Sequence, residues 1–143
     1  MSCHRSAQHL AVLIAVALAG AAGAALAEDA SGRQVYVEHC ASCHGANLEG
    51  QPNWKQRLPT GRLPAPPHDA TGHTWHHSDR QLFRIVKEGP AAMMSGYETD
   101  MPGFGAVLDD AEIAAVLDYI KSTWPERQRD VQAAKSASDP LQP

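Results

Sequence analysis

Two cysteines and a histidine, at positions 40, 43 and 44, form the pattern Cys-x-x-Cys-His. Cysteines three residues apart face the same side of a helical turn, so both sulfurs can reach the two vinyl groups of one porphyrin. The histidine that follows directly offers an imidazole nitrogen to the iron as an axial ligand. The pattern is that of c-type haem attachment. It therefore predicts one covalently bound haem c, with thioether links from Cys40 and Cys43 and axial ligation by His44.

Paired cysteines also occur in zinc sites and in redox-active thiol pairs. A structural zinc site needs two further Cys or His ligands at workable spacing. No second cysteine pair exists, and the histidines that could contribute are His68, His73, His76 and His77. A thioredoxin-like pair needs a strand–helix–strand context, and the sequence contains no convincing strand. Haem attachment is the favoured interpretation.

The second axial ligand of the iron has to come from later in the chain. A thioether is neutral and soft, so it favours ferrous iron and raises the reduction potential. Met101 precedes Pro102-Gly103-Phe104-Gly105, a rigid turn that would hold its side chain in place. Met93 and Met94 have no comparable neighbour. We expect Met101 to be the ligand, with bis-histidine ligation through a loop histidine as the alternative.

The first 27 residues have the features of a secretory signal peptide. A short polar start containing Arg5 is followed by an uncharged run over residues 10–27, which closes on Ala25-Leu26-Ala27. This order of positive start, apolar middle and small-residue end predicts export to the periplasm and cleavage after Ala27. The alternative is an uncleaved membrane anchor, because 18 apolar residues lie at the lower edge of spanning length. We expect membrane contact only in that case.

Cleavage would change the composition of the chain. Cys3 and Arg5 would be lost, which leaves Cys40 and Cys43 as the only cysteines and 11 basic against 16 acidic residues. An acidic chain is not expected to bind nucleic acid. Aromatic residues make up only 6% of the sequence, which is few for a domain that builds its core from side chains alone. A flat cofactor at the centre of the domain would compensate for the small number of aromatic side chains.

The remaining sequence predicts helices separated by long loops. Ser31 with Gln34, Ser78 with Gln81 and Asp109 with Glu112 each match the capping box that begins a helix. Gly89-Pro90 and Trp124-Pro125 end the second and third helices. Residues 45–77 are rich in glycine and proline, and a loop of that length is unusual unless it wraps something. We expect an all-α domain of three to four helices over residues 28–125, and a polar, disordered tail over residues 126–143.

Several positions resemble those of the monohaem class I c-type cytochromes of the bacterial periplasm. Gly32 and Tyr36 lie where that family has a small residue and an aromatic on its first helix, and Tyr119 matches the aromatic of its last helix. Met101-Pro102 matches the axial methionine and the proline that follows it. The similarity covers residues 31–124. It implies a cytochrome c fold in which the first and last helices cross at the small residue.

The resemblance also implies a function and an additional contact. The function is one-electron transfer by a monomer, without enzyme activity. The expected partners are redox proteins such as a membrane oxidase, a reductase complex or a periplasmic dehydrogenase. In the family a proline carbonyl accepts a hydrogen bond from the axial histidine. Pro52 and Pro59 follow His44 at altered spacing, so neither is assigned this role.

Two other functions use different residues. A copper-binding or copper-delivery role would use soft or borderline ligands in the loops, namely His68, His73, His76, His77, Met93 and Met94. A haem enzyme or gas sensor would need an open position at the iron, which a bound Met101 excludes. Trp54 and Trp75 are candidates to bind a haem propionate, and Arg62 and Lys55 are candidates to neutralise one.

Overall fold

The computed structural model describes residues 31–139. The expected signal peptide, residues 1–27, lies outside this range, as do the last four residues of the expected tail.

The described chain is helical, and it contains no strand between residues 31 and 139. A single 3-10 turn, Thr74–His76, interrupts the long segment that precedes the third helix. The helices are α1 (residues 31–39), α2 (Ala41–His44), α3 (Asp79–Glu88), α4 (Pro90–Met93), α5 (Asp110–Ser122) and α6 (Glu126–Ala137). The prediction of an all-α fold with long loops is confirmed.

The capping boxes that the sequence predicts begin α3 and α5. The Gln81 amide donates to Ser78 Oγ over 3.2 Å, and the Ser78 amide donates back to the Gln81 side chain. Asp109 and Glu112 form the equivalent reciprocal pair at α5. Gly89 ends α3 with a φ of +85°, a backbone conformation that favours glycine. These local signals therefore fix where both helices start and where α3 stops.

Helices α1 and α5 pack closely because Gly32 has no side chain. A Cβ at Gly32 would lie 2.1 Å from the carbonyl oxygen of Ala115 in α5. Four residues further along α1, the ring of Tyr36 lies 5.6 Å from that of Tyr119, measured between ring centroids. The predicted crossing at the small residue is therefore present. Ser31 is the first described residue of α1.

Helix α6 corrects the expectation of a disordered tail over Glu126–Ala137. Its buried residues are polar: Gln132 is 3% exposed and Ser136 is 6% exposed. Gln132 Nε2 donates to Asp79 Oδ1 over 2.9 Å, and Ser136 Oγ accepts from the Asp79 amide at 2.9 Å. Helix α6 therefore packs on the start of α3 through hydrogen bonds. Since this packing needs no apolar stripe, the hydrophobic pattern of the sequence did not predict the helix.

The core lies between α1, α3 and α5 and is closed by the long segment before α3. Its buried apolar residues are Val35, Tyr36, Leu48, Leu82, Leu108, Ile113, Val116, Leu117, Ile120 and Trp124. Among the helices described here, none is both long and apolar enough to cross a membrane.

Candidate cofactor site

A cavity of about 340 Å³ lies beside this core, within the size range of ligand and cofactor pockets. Cys40, Cys43 and His44 line it from the end of α1 and from α2, and Met101 lines it from the segment before α5. The structure thus brings together all four residues that the sequence singled out. Every described helix except α6 contributes to the wall.

The lining suits a large, flat and mostly apolar group. Its floor consists of aliphatic side chains from α3 and α5, namely Leu82, Ile85, Val86, Val116, Leu117 and Ile120. The potential iron ligands are an imidazole and a thioether, and a thiol pair lies next to the imidazole. Nitrogen and sulfur donors of this kind match haem iron, whereas hard cations prefer carboxylate and carbonyl oxygens. The residues present fit a covalently attached haem.

The two cysteines are free thiols on either side of the start of α2. Cys43 is exposed, whereas Cys40 is partly buried. Burial, with a smaller contribution from Cys43, raises the pKa of the Cys40 thiol to about 11. Before attachment the Cys40 sulfur is therefore protonated at neutral pH, and formation of a thioether removes a titratable group from the interior.

His44 is 6% exposed and has one ring nitrogen engaged by the backbone. Its Nδ1–H donates to the carbonyl oxygen of Pro66 over 2.8 Å. Burial lowers the pKa of His44, and this hydrogen bond opposes the shift in part. A proton held on Nδ1 leaves the lone pair on Nε2 for a metal. Pro66, and not Pro52 or Pro59, is thus the proline that contacts His44.

Pro66 reaches His44 because the long segment folds back on itself. The Gln51 amide donates to the Ala65 carbonyl over 2.8 Å, and the Gln51 side chain accepts from the Ala65 amide at 3.0 Å. A Cβ at Gly50 would lie 2.4 Å from the backbone nitrogen of Pro67, so only glycine permits this approach. Pro66 lies 22 residues after His44, which is farther than the family's spacing, so spacing from His44 did not identify it.

The residues next to Met101 connect its segment to the long loop. Arg62 forms an ion pair with Asp100, and the Met101 amide donates to Thr99 Oγ1 over 3.1 Å. Arg62, a candidate to neutralise a propionate, is thus engaged by a carboxylate. Met94 also lines the cavity, but half of its side chain is exposed.

The residues after Met101 are attached to the C-terminal end of α3. The Phe104 amide donates to the Val86 carbonyl over 2.8 Å, and the Gly105 amide donates to the Lys87 carbonyl over 3.0 Å. Carbonyls in the last turn of a helix lack partners within the helix, so they are available for such bonds. A Cβ at Gly103 would lie 2.7 Å from the carbonyl carbon of Glu88. These contacts give Met101 the rigid setting that the sequence predicted.

The loop histidines make ring contacts and do not form a metal cluster. His73 stacks on Trp54 at 5.5 Å and meets His77 edge-on at 5.5 Å, while His76 stacks on Trp75 at 3.7 Å. Across residues 31–139, no group of three or more His, Cys, Asp or Glu side chains could hold a metal ion.

The aromatic candidates for a propionate contact differ in their surroundings. Trp54 lines the cavity, and the Lys55 ammonium lies 4.9 Å from the centre of its ring. The indole Nε1 of Trp75 is buried and has no hydrogen-bond partner in the described part of the chain. A buried donor without a partner is costly, so a bound acidic group would stabilise it.

Comparison with known families agrees with this geometry. The family model for cytochrome c matches residues 30–124. The chain belongs to the cytochrome c family. A cytochrome c domain implies covalently bound haem c, which accounts for the cysteine pair of this cytochrome c and for its apolar cavity.

Three curated relatives are similar to this cytochrome c. It is 32% identical to cytochrome c6 of Picosynechococcus over 94 residues, which are 66% of this chain and 72% of the relative. It is 25% identical to the cbb3-type cytochrome c oxidase subunit FixP of Azorhizobium caulinodans and 33% identical to subunit CcoP of Azospirillum brasilense. Those matches cover 77% and 62% of this chain, but only 34% of FixP and 26% of CcoP. No solved structure matches significantly.

Proposed function

We propose that this cytochrome c carries single electrons between redox proteins of the bacterial periplasm, and that it has no catalytic activity of its own. The haem supplies the redox chemistry, since its iron alternates between the ferric and ferrous states. The observation that carries the proposal is that His44 and Met101 line one cavity from segments far apart in sequence. If His44 and Met101 both bind the iron of the haem, no coordination site would be open to a substrate or a gas.

The roles of the four site residues follow from their chemistry. Cys40 and Cys43 hold the cofactor through thioether bonds. His44 provides the nitrogen ligand through Nε2, because its Nδ1 donates to Pro66. Met101 provides the sulfur ligand, which stabilises ferrous iron relative to ferric iron and raises the reduction potential.

The surroundings of the ligands favour fast electron transfer. His44 is fixed by a backbone carbonyl, and the Met101 segment is fixed to the end of α3 and, through Asp100, to Arg62. Ligands that are held this firmly need little rearrangement when the charge of the iron changes. The aliphatic floor of the cavity excludes water, which further limits that rearrangement.

The partners that we propose are redox proteins with a basic docking surface. After removal of residues 1–27, the chain has an excess of five acidic residues, which would guide it toward such a surface. Two of the relatives are named as subunits of a cbb3-type oxidase. A membrane oxidase is therefore one class of acceptor to test, alongside reductase complexes and periplasmic dehydrogenases.

An intact mass of the protein exported from cells with a working haem-maturation system tests attachment and processing together. We expect the mass of residues 28–143 plus one haem, and a redox titration that fits one electron. Cys40→Ser should lose one thioether and thereby shift the absorption bands of the reduced haem. Ser42→Ala, between the two cysteines, is the matched control and should be unchanged. A mass without the haem increment would overturn the proposal.

A further inference from the structure

A second histidine lies against His44. The ring centroids of His44 and His68 are 3.9 Å apart, and the two ring planes are inclined by only 24°. His68 also lines the cavity. His68 lies two residues after Pro66, so one short segment makes two contacts with the His44 ring. The Pro66 carbonyl contacts the edge of the ring, and the His68 ring contacts its face.

His68 itself is held on several sides. Its amide donates to the Leu48 carbonyl over 2.8 Å, and its carbonyl accepts from Trp124 Nε1 at 2.7 Å. Its ring Nδ1 lies 2.8 Å from Thr74 Oγ1, within hydrogen-bond distance. The ring of Tyr36 meets it edge-on at 6.4 Å. Because backbone and ring are both anchored, His68 presents a flat surface whose orientation is fixed.

The two contacts restrict different movements of the His44 ring. A single hydrogen bond at Nδ1 fixes the direction of one ring atom, but the ring can still pivot about that bond. A flat ring stacked on its face prevents the pivot. Groups that contact a metal ligand from behind orient that ligand and tune the metal.

Resting on the proposed axial role of His44, we propose that His68 is a positioning residue that sets the plane of the His44 ring at the iron. The plane of an axial imidazole decides which iron d orbital its π system overlaps. In ferric haem this orientation governs the spread and order of the haem methyl resonances in proton NMR, and it also affects the g values in EPR. Both signals report orientation and not merely whether the protein is folded.

The experiment compares two replacements of His68 in the ferric holo-protein. His68→Leu removes the flat ring, whereas His68→Phe keeps a flat ring without the nitrogen that meets Thr74. We expect His68→Leu to reorder or respread the haem methyl resonances and to shift the g values. We expect His68→Phe to show only a small change, because the stacked flat ring remains and only the contact with Thr74 is lost. His76→Leu is the control, because His76 is exposed, stacks on Trp75 and does not line the cavity.

Two outcomes would overturn the proposal: a wild-type methyl pattern in His68→Leu, or an equal change in both His68 variants. If His68→Leu yields no holo-protein, Thr74→Val decides the question. Loss of the Thr74 hydroxyl should move the same resonances by a smaller amount, and a wild-type pattern there would also overturn the proposal. Failure of the proposed function is distinguishable, since a wild-type protein without methionine ligation lacks the methionine-to-iron charge-transfer band before any variant is made.

Discussion

The contact between α1 and α5 provides a quantitative test of the fold around the haem. Gly32→Ala adds one methyl group to α1, and that carbon would lie 2.1 Å from the Ala115 carbonyl oxygen and 2.9 Å from Tyr119 Cβ. The nearest atom belongs to the backbone of α5, so it cannot rotate away as a flexible side chain would. The two helices have to separate for the methyl group to fit.

Two opposing effects determine the size of the change. Alanine favours a helix over glycine by about 1 kcal/mol, which alone would stabilise the variant. Forcing an extra carbon into a filled interface costs about 1–3 kcal/mol, and contact with backbone at this distance places the cost at the upper end. The net effect is a loss of about 2 kcal/mol in the free energy of unfolding. For a domain of this size that lowers the Tm by about 10 °C.

Thermal unfolding of the ferric holo-protein, followed by circular dichroism, measures this loss. Arg33→Ala is the control, because Arg33 is exposed on the same helix and its replacement should change the free energy of unfolding by less than about 0.5 kcal/mol. If Gly32→Ala is as stable as the wild type, the close approach of α1 to α5 is wrong, and with it the packing that we describe.

Further predictions concern single contacts around the site. Trp124→Phe removes the indole donor to the His68 carbonyl and leaves a void in the core, so it should cost at least about 1–3 kcal/mol in chemical denaturation, and an unchanged stability would contradict both contacts. Ser78→Ala removes the α3 cap and should cost about 1 kcal/mol, measured in the same way. Burial lowers the pKa values of His73 and His77 from 6.5, so the unfolded chain binds more protons below that pH and stability falls as the pH is lowered. A His73→Gln/His77→Gln double variant should lose less Tm than the wild type between about pH 7 and pH 5, and an equal loss would contradict the pKa directions.

The features that depend on residues close together in the sequence were predictable from it. The caps at Ser78 and Asp109 each involve residues three positions apart, so their patterns are visible in the sequence. The same is true of the cysteine pair with His44. The turn after Met101 was also visible, because proline and glycine restrict the backbone locally.

Contacts between distant residues were not predictable in the same way. The proline that contacts His44 was sought near the family's spacing, but the contact is made by Pro66, which lies 22 residues after His44. His68 was considered only as a possible metal ligand, because nothing in the sequence places its ring on that of His44. Helix α6 was missed because its packing depends on polar contacts that leave no hydrophobic period.

The composition had indicated that something other than side chains fills the centre. Aromatic residues make up only 6% of the chain, and the floor of the cavity is aliphatic. A covalently bound haem supplies the flat apolar surface that these residues do not. The long proline-rich segment then has a structural reason, since it forms one wall of the cavity and carries both Pro66 and His68.

The central claim is that His44 and Met101 hold one haem iron between them. The most direct measurement is the methionine-to-iron charge-transfer band of the ferric protein, recorded for the wild type, Met101→Ala and Met94→Ala. Met94 lines the same cavity but is half-exposed, so it is the matched control. We predict that the band is present in the wild type and in Met94→Ala and is lost in Met101→Ala. A band that persists in Met101→Ala, or one that disappears only in Met94→Ala, would contradict the assignment.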